Sequence, residues 1–127
     1  MTENEIARIV VDAAFKIHKT LGPGLLESVY EAVLEFELQR RGLKVARQVG
    51  LPVHYDGVKL ELGFRIDLII HSKLIIEVKS VEVLAPVHKK QLLTYLRLTD
   101  LRLGLLINFN VERIKDGIQR VVNGLVD

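Results

Sequence analysis

The stretch Leu103-Gly-Leu-Leu-Ile-Asn-Phe109 limits the possible folds more than any other, because it presents no polar face to water. A surface helix keeps a polar stripe and a half-exposed strand alternates, so a run apolar on both sides fits a strand covered above and below. Such a strand needs helices on both faces of its sheet. Val87 to Thr99 supplies one, since Leu92, Leu93 and Leu96 recur at helical spacing and Pro86 suits a first helical turn. A helix leading directly into a buried strand is the usual crossover of a parallel strand pair.

The opening of the chain supplies the second helical layer. From Glu3 to Leu21, Ile6, Ile9, Val10, Ala13, Ala14, Ile17 and Leu21 fall three and four apart. Thr2 followed by Glu5 resembles a capping box, and Gly22-Pro23-Gly24 ends the helix. A second helix is predicted from about Leu25 to Arg41, with Leu26, Val29, Val33 and Phe36 inward and Gly42 as its left-handed terminator. Period-two, β-branched pattern then begins: strands near Val45 to Val49 and Val53 to Tyr55, a hairpin turn at Asp56-Gly57, and a return through Val58 to Ile70. His71-Ser72-Lys73 turns the chain again, and Leu74 to Ser80 comes back. The tail from Val111 to Val126 reads either as short extended pieces about Asp116-Gly117 or as an interrupted helix. The expected architecture is α/β, a sandwich in which helices flank a central mixed sheet, with residues 1–127 as one domain.

A 49% hydrophobic share over 127 residues can form this core without disulfides, and the chain has no Cys. No run approaches the ~20 apolar residues of a membrane span. The acidic, polar start Met1-Thr-Glu-Asn-Glu5 lacks the form of a signal peptide, so a soluble, cytoplasmic protein is expected. Eighteen Lys and Arg against sixteen Asp and Glu give +2, so any basic surface that attracts a polyanion must be local.

The informative residues are charges that interrupt buried strands. Asp67 lies within Phe64-Arg-Ile-Asp-Leu-Ile-Ile70, and Glu77 and Lys79 lie within Leu74-Ile-Ile-Glu-Val-Lys-Ser80. Glu77 and Lys79 are two apart and share a strand face, opposite Leu74, Ile76 and Val78. If the strands pair about His71 to Lys73, Asp67 and Glu77 approach to roughly 5 Å and converge. Two carboxylates at that distance repel unless a cation lies between them, and Mg²⁺ or Mn²⁺ suits hard oxygen ligands plus a substrate phosphate. With Lys79 beside them, these are the parts of a phosphodiester hydrolase. A solvated strand face, or an ordinary cross-strand ion pair among Arg65, Asp67, Glu77 and Lys79, would explain the same letters.

An Asp on one strand and an acid-x-Lys on the next resemble the PD-(D/E)XK nuclease superfamily, here Ile66-Asp67 followed by Glu77-Val78-Lys79, without the proline of the family name. Gln91-Leu-Leu-Thr-Tyr95 is similar to the Gln-x-x-x-Tyr helix motif of its RecB-like branch. Gly24-Leu-Leu-Glu-Ser-Val-Tyr30 resembles the signature of the small GxxExxY family, and Gln48 with Pro52 and Gly104-Leu-Leu-Ile-Asn-Phe109 follow in the expected order. The resemblance, from about Ile6 to Gly124, implies a restriction-endonuclease-like sandwich. It also implies Mg²⁺ or Mn²⁺ held by Asp67, Glu77 and the Val78 carbonyl, with Glu27 as an additional ligand. In that reading Lys79 orients the attacking water, Gln91 positions the phosphate or the lysine, and Tyr95 and Tyr30 line the site.

Tyr30, His88, Lys89 and Lys90 are the candidates for contacting nucleic acid, although a solvated helix face accounts for His88-Lys-Lys90 equally well. The other histidines, His18, His54 and His71, lack metal-ligand spacing. Gln39-Arg-Arg41, Lys44 and Arg47 suit a helix C-terminus. The expected function is a metal-dependent nuclease acting on DNA in preference to RNA. The alternative is an inactive or partner-dependent nucleic-acid-binding or assembly module on the same scaffold, and a homodimer is compatible with either.

Overall fold

The computed structural model describes residues 1–126, with Leu62 described by its backbone alone. Helix α1 spans Glu3–Leu21 and begins with the expected capping box, the Glu5 amide donating to Thr2 Oγ1 at 3.1 Å and the Thr2 amide to Glu5 Oε1 at 3.3 Å. Helix α2 spans Glu27–Arg40. Strands β1 (Val45–Tyr55) and β2 (Val58–Ile70) form a long hairpin, closed by Asp56 and Gly57 at φ 51 and 76, the left-handed pair that a two-residue turn requires. Strand β3 (Leu74–Lys79), helix α3 (Pro86–Thr99) and strand β4 (Leu103–Asn108) follow. A 3-10 turn at Ile114–Gly117 then leads into β5 (Ile118–Val122), so the tail is extended.

The five strands stand in the order β1-β2-β3-β4-β5, every pair antiparallel except β3 and β4. That pair is parallel and joined through α3, as the apolar run at Leu103 demands, and all six β4 residues are buried. Helices α1 and α2 cover one face, packing Ile6, Val10, Ala14, Leu34 and Leu38 on Leu74, Ile76, Val78 and Leu105. Helix α3 covers the other, with Leu92, Tyr95 and Leu96 on Ile66, Ile75 and Leu106.

Three expectations are corrected. The two strands expected between Val45 and Tyr55 are one, carrying an irregularity between Leu51 and Val53 where Pro52 has no amide to give the ladder. Helix α2 begins at Glu27, and its inward face is Tyr30, Glu31, Leu34, Glu37 and Leu38. Leu26, Val29 and Phe36 are exposed, and Val33 is only partly buried. The helix carries two competing apolar stripes, and distant partners for Tyr30, Glu31 and Glu37 decide between them.

The hairpin changes the face it presents half-way along. Val45, Leu68 and Ile70 pack under α1 and α2, whereas Val49, Leu51 and Ile66 pack under α3. Regular pleating would keep these positions on one side. The change falls where Gln48 takes φ 54, between the pairs Arg47–Leu68 and Val49–Ile66.

Candidate active site

The β2–β3 ladder stops at Leu68 and Ile76, and two carboxylates take over from it. The Asp67 amide donates to Glu77 Oε2 at 2.8 Å, and the Val78 amide donates to Asp67 Oδ2 at 2.8 Å. Each strand therefore offers a main-chain donor to an acid of the other, and the acids fill the gap where the strands part. Sequence spacing expected Asp67 and Glu77 to converge, and they do. Glu77 is only 4% exposed.

Burial pushes the Glu77 carboxyl up to about 8, and the charge of Asp67 adds to it against the Asp67 amide and Lys79. Asp67 is pushed up to about 6 by burial and by Glu31, opposed by the Val78 amide and by Lys79. The Lys79 pull acts through space: among the described residues no ion pair links Lys79 to either acid. A cross-strand ion pair therefore does not account for these charges.

The helix motif lies beside the pair, with its two polar residues doing different things. Tyr30 is fully buried, stacked on Phe109 with ring centroids 4.6 Å apart and planes 6° from parallel. Its hydroxyl donates to the Gly22 carbonyl and accepts from the Leu25 amide. Ser80 Oγ donates to the Leu25 carbonyl at 2.6 Å, so the glycine-rich turn is held from both sides. Glu27 emerges from this turn, and its Oε2 accepts a long bond of 3.4 Å from the Ser80 amide just after β3. The expectation that Tyr30 lines a nucleic-acid surface is corrected: with no exposed area and both hydroxyl partners in the backbone, it is a latch.

On the opposite face, α3 lays Tyr95 against the site. Burial first, and then the charges of Glu77 and Asp67, push the Tyr95 phenol up to about 12, so it stays protonated. Gln91, one turn earlier, lines a groove with Phe64, Val87, Lys90, Thr94 and Tyr95. His88 is committed elsewhere, its Nδ1 accepting the Ala85 amide at 3.1 Å to cap α3. Lys89 and Lys90 are exposed and face a second groove toward Gln119 and Val121.

Sequence reasoning missed Glu31 and the use of Gln48. Glu31, 6% exposed, accepts from Gln48 Nε2 at 2.6 Å and pairs with Arg47 at 3.3 Å, while Gln48 Nε2 also reaches Asp67 Oδ1 at 3.5 Å. A signal was present: Glu27 and Glu31 are i,i+4 like charges on one helix face, an unfavourable pair unless something nearby requires it. Asn108 was also overlooked. It fixes the loop after β3 by accepting the Val81 amide at 3.1 Å and donating to the Val81 carbonyl at 2.8 Å.

The sequence profile of the PD-(D/E)XK nuclease superfamily matches residues 4–121. The chain belongs to that superfamily. No curated protein and no solved structure gives a match. Membership of the superfamily suggests nuclease activity on nucleic acid, and its nucleases generally use divalent metals such as Mg²⁺. The donor set fits such a cation: a buried carboxylate, Glu77, and a half-buried one, Asp67, share a gap with amide donors and, among the described residues, without an ion-pair partner. Among the described residues no three Asp, Glu, His or Cys side chains form a metal-binding group, so main-chain oxygen, water and phosphate would complete the sphere. No helix among the described residues is long and apolar enough to cross a membrane.

Proposed function

We propose that this superfamily member is a Mg²⁺- or Mn²⁺-dependent nuclease of the GxxExxY group within the RecB-like branch, acting on DNA in preference to RNA. The observation that carries the reading is the carboxylate pair in the β2–β3 gap, with Asp67 half-buried and Glu77 buried, short of positive charge, and Glu77 two residues from Lys79. Asp67 and Glu77 would hold the metal. The Val78 carbonyl would join them, because a strand residue's N–H and C=O leave on the same side and the Val78 N–H points at Asp67. Glu27, at the mouth of the site, would hold the metal through a bridging water.

When bound, the cation supplies charge for the phosphate oxygens and acidifies a water. Lys79 steadies the attacking hydroxide and the negative charge that develops on phosphorus oxygens. Gln91 offers amide hydrogens to phosphate or its oxygen to Lys79, and Tyr95, protonated across the working pH range, closes the α3 side. Lys89 and Lys90 give the cationic rim for flanking phosphates, with His88 contributing the helix cap that positions them. These roles belong to one domain that needs no membrane.

The decisive experiment offers single-stranded, duplex and branched DNA, and RNA, to wild type and Glu77→Ala prepared in parallel, with Mg²⁺ or Mn²⁺. Cleavage that requires metal and disappears in the variant supports the reading. Equal product from both proteins, or none from either, rejects it.

A further inference from the structure

We propose that the groove between β2 and α3, beside the carboxylate pair, is a base-stacking subsite in which the ring of Phe64 is the platform, and that it selects single-stranded nucleic acid. The inference rests on the nuclease reading only for what lies next to it, the scissile phosphate; the stacking itself is independent of cleavage.

Phe64 is 41% exposed, an expensive place for an aromatic ring that could have been buried. It is held there by deliberate backbone geometry. Phe64 pairs with Leu51, and the register irregularity begins at once beyond it. A Cβ added to Gly63 would lie 1.6 Å from the Leu51 carbonyl oxygen, so only glycine permits this close approach of β1 and β2. A bulge beside a site serves to re-aim a side chain. Here the aimed residue meets Tyr95 at a tilt, with centroids 5.5 Å apart and planes 58° from parallel, so the two rings do not stack and Phe64 keeps part of its surface exposed.

The groove has a volume of about 510 Å³, ample for one nucleobase. Its lining of Phe64, Val87, Lys90, Gln91, Thr94 and Tyr95 contains a cation and no acid. A polyanion therefore meets no acid among the lining residues, its phosphate toward Lys90 and its base over Phe64. Duplex bases are already stacked on both faces and cannot reach a ring on a protein wall, whereas unpaired bases can. With a net charge of +2 the chain has little long-range attraction for phosphate, so stacking supplies affinity that charge does not.

The test uses the full chain and oligonucleotides of one sequence carrying 2-aminopurine, as single-stranded DNA, single-stranded RNA and duplex DNA, in Ca²⁺ to support binding by an oxygen-preferring cation. Wild type should quench the fluorescent base in the single strands. Phe64→Ala and Phe64→Leu should abolish the quench and weaken single-strand binding about 5- to 100-fold, with Phe64→Trp restoring both. Duplex affinity should change less than about twofold, and melting of the exposed-site variants should match wild type. The affinities of the two single strands tell DNA from RNA. An absent quench, unchanged single-strand binding in Phe64→Ala, or an equal loss on duplex overturns the proposal. Stacking without Mg²⁺-dependent cleavage supports the subsite while removing the nuclease reading.

Discussion

Glu37, on helix α2, and Glu77, in strand β3, are the same residue type, buried to nearly the same degree, yet they sit at opposite ends of the carboxylate range. Glu37, on the inward face of α2, meets Lys16 at 3.3 Å, Arg41 at 2.9 Å and the Arg40 guanidinium. The Arg41 hydrogen bond above all, then Lys16 and Arg40, outweigh burial and hold it down at about 2. Glu77 has an amide and a second acid for neighbours and is pushed up to about 8. Burial alone therefore decides nothing about a carboxylate; the number of cations within reach does. One acid is matched by three cations, and the other, among the described residues, has no ion-pair partner.

The largest effect that separates the two is chemical. Glu77→Ala and Asp67→Ala should each reduce metal-dependent cleavage by about 10³-fold or more, while Glu37→Ala leaves cleavage by the folded protein within about twofold, measured as initial rates at saturating Mg²⁺. Next is mass action. Mn²⁺ at a hundred times its dissociation constant should add roughly 2.7 kcal/mol to wild-type stability and nothing to Glu77→Ala, read from urea midpoints. A comparable gain in Glu77→Ala would place the ion elsewhere.

Glu37→Ala should then cost about 1–3 kcal/mol, less than a fully buried pair because Lys16 and Arg40 are half exposed. Without metal the sign reverses at the other site: Glu77→Gln should gain roughly 1 kcal/mol at pH 9, where wild type must ionise both acids in the gap. The smallest effects are the pH slopes that underlie these differences. Glu37 is lowered, so its stabilisation is complete above its ordinary value of 4.5 and fades as pH falls toward about 2. Asp67 and Glu77 are raised, so the metal-free protein loses stability as pH rises from their ordinary values through about 6 and about 8. Thermal melts of Glu37→Gln and Glu77→Gln across pH 3–9 should flatten the slope below 4.5 and the slope between 4.5 and about 8 respectively.

What could be read from the letters and what could not follow the same division. Helix α1, its cap, the Asp56-Gly57 turn and the parallel β3–α3–β4 unit are local or periodic, and the sequence pattern places each of them. The inward face of α2 is not local. Leu26 and Phe36 compete with Tyr30, Leu34 and Leu38 for the core, and the winner depends on a hydroxyl bonded to Gly22, on three cations gathered around Glu37 and on Gln48. Asp67 and Glu77 were legible because charge inside an apolar strand is rare. Glu31 was harder to read, because its like-charge spacing from Glu27 names no partner until Gln48, at a left-handed backbone position, is folded against it.

The parting of β2 from β3 makes the backbone itself an observable of the site. The amides of Asp67 and Val78 are the two that have exchanged a carbonyl partner for a carboxylate oxygen. Their proton shielding and solvent exchange rates then follow the charge on those oxygens, amide by amide. In a ¹⁵N-labelled sample these two resonances would titrate with added Mg²⁺, which is diamagnetic, while the neighbouring ladder amides of Leu68 and Ile76 stay still. The two acids thus come with their own built-in spectroscopic labels, on residues that no substitution need touch.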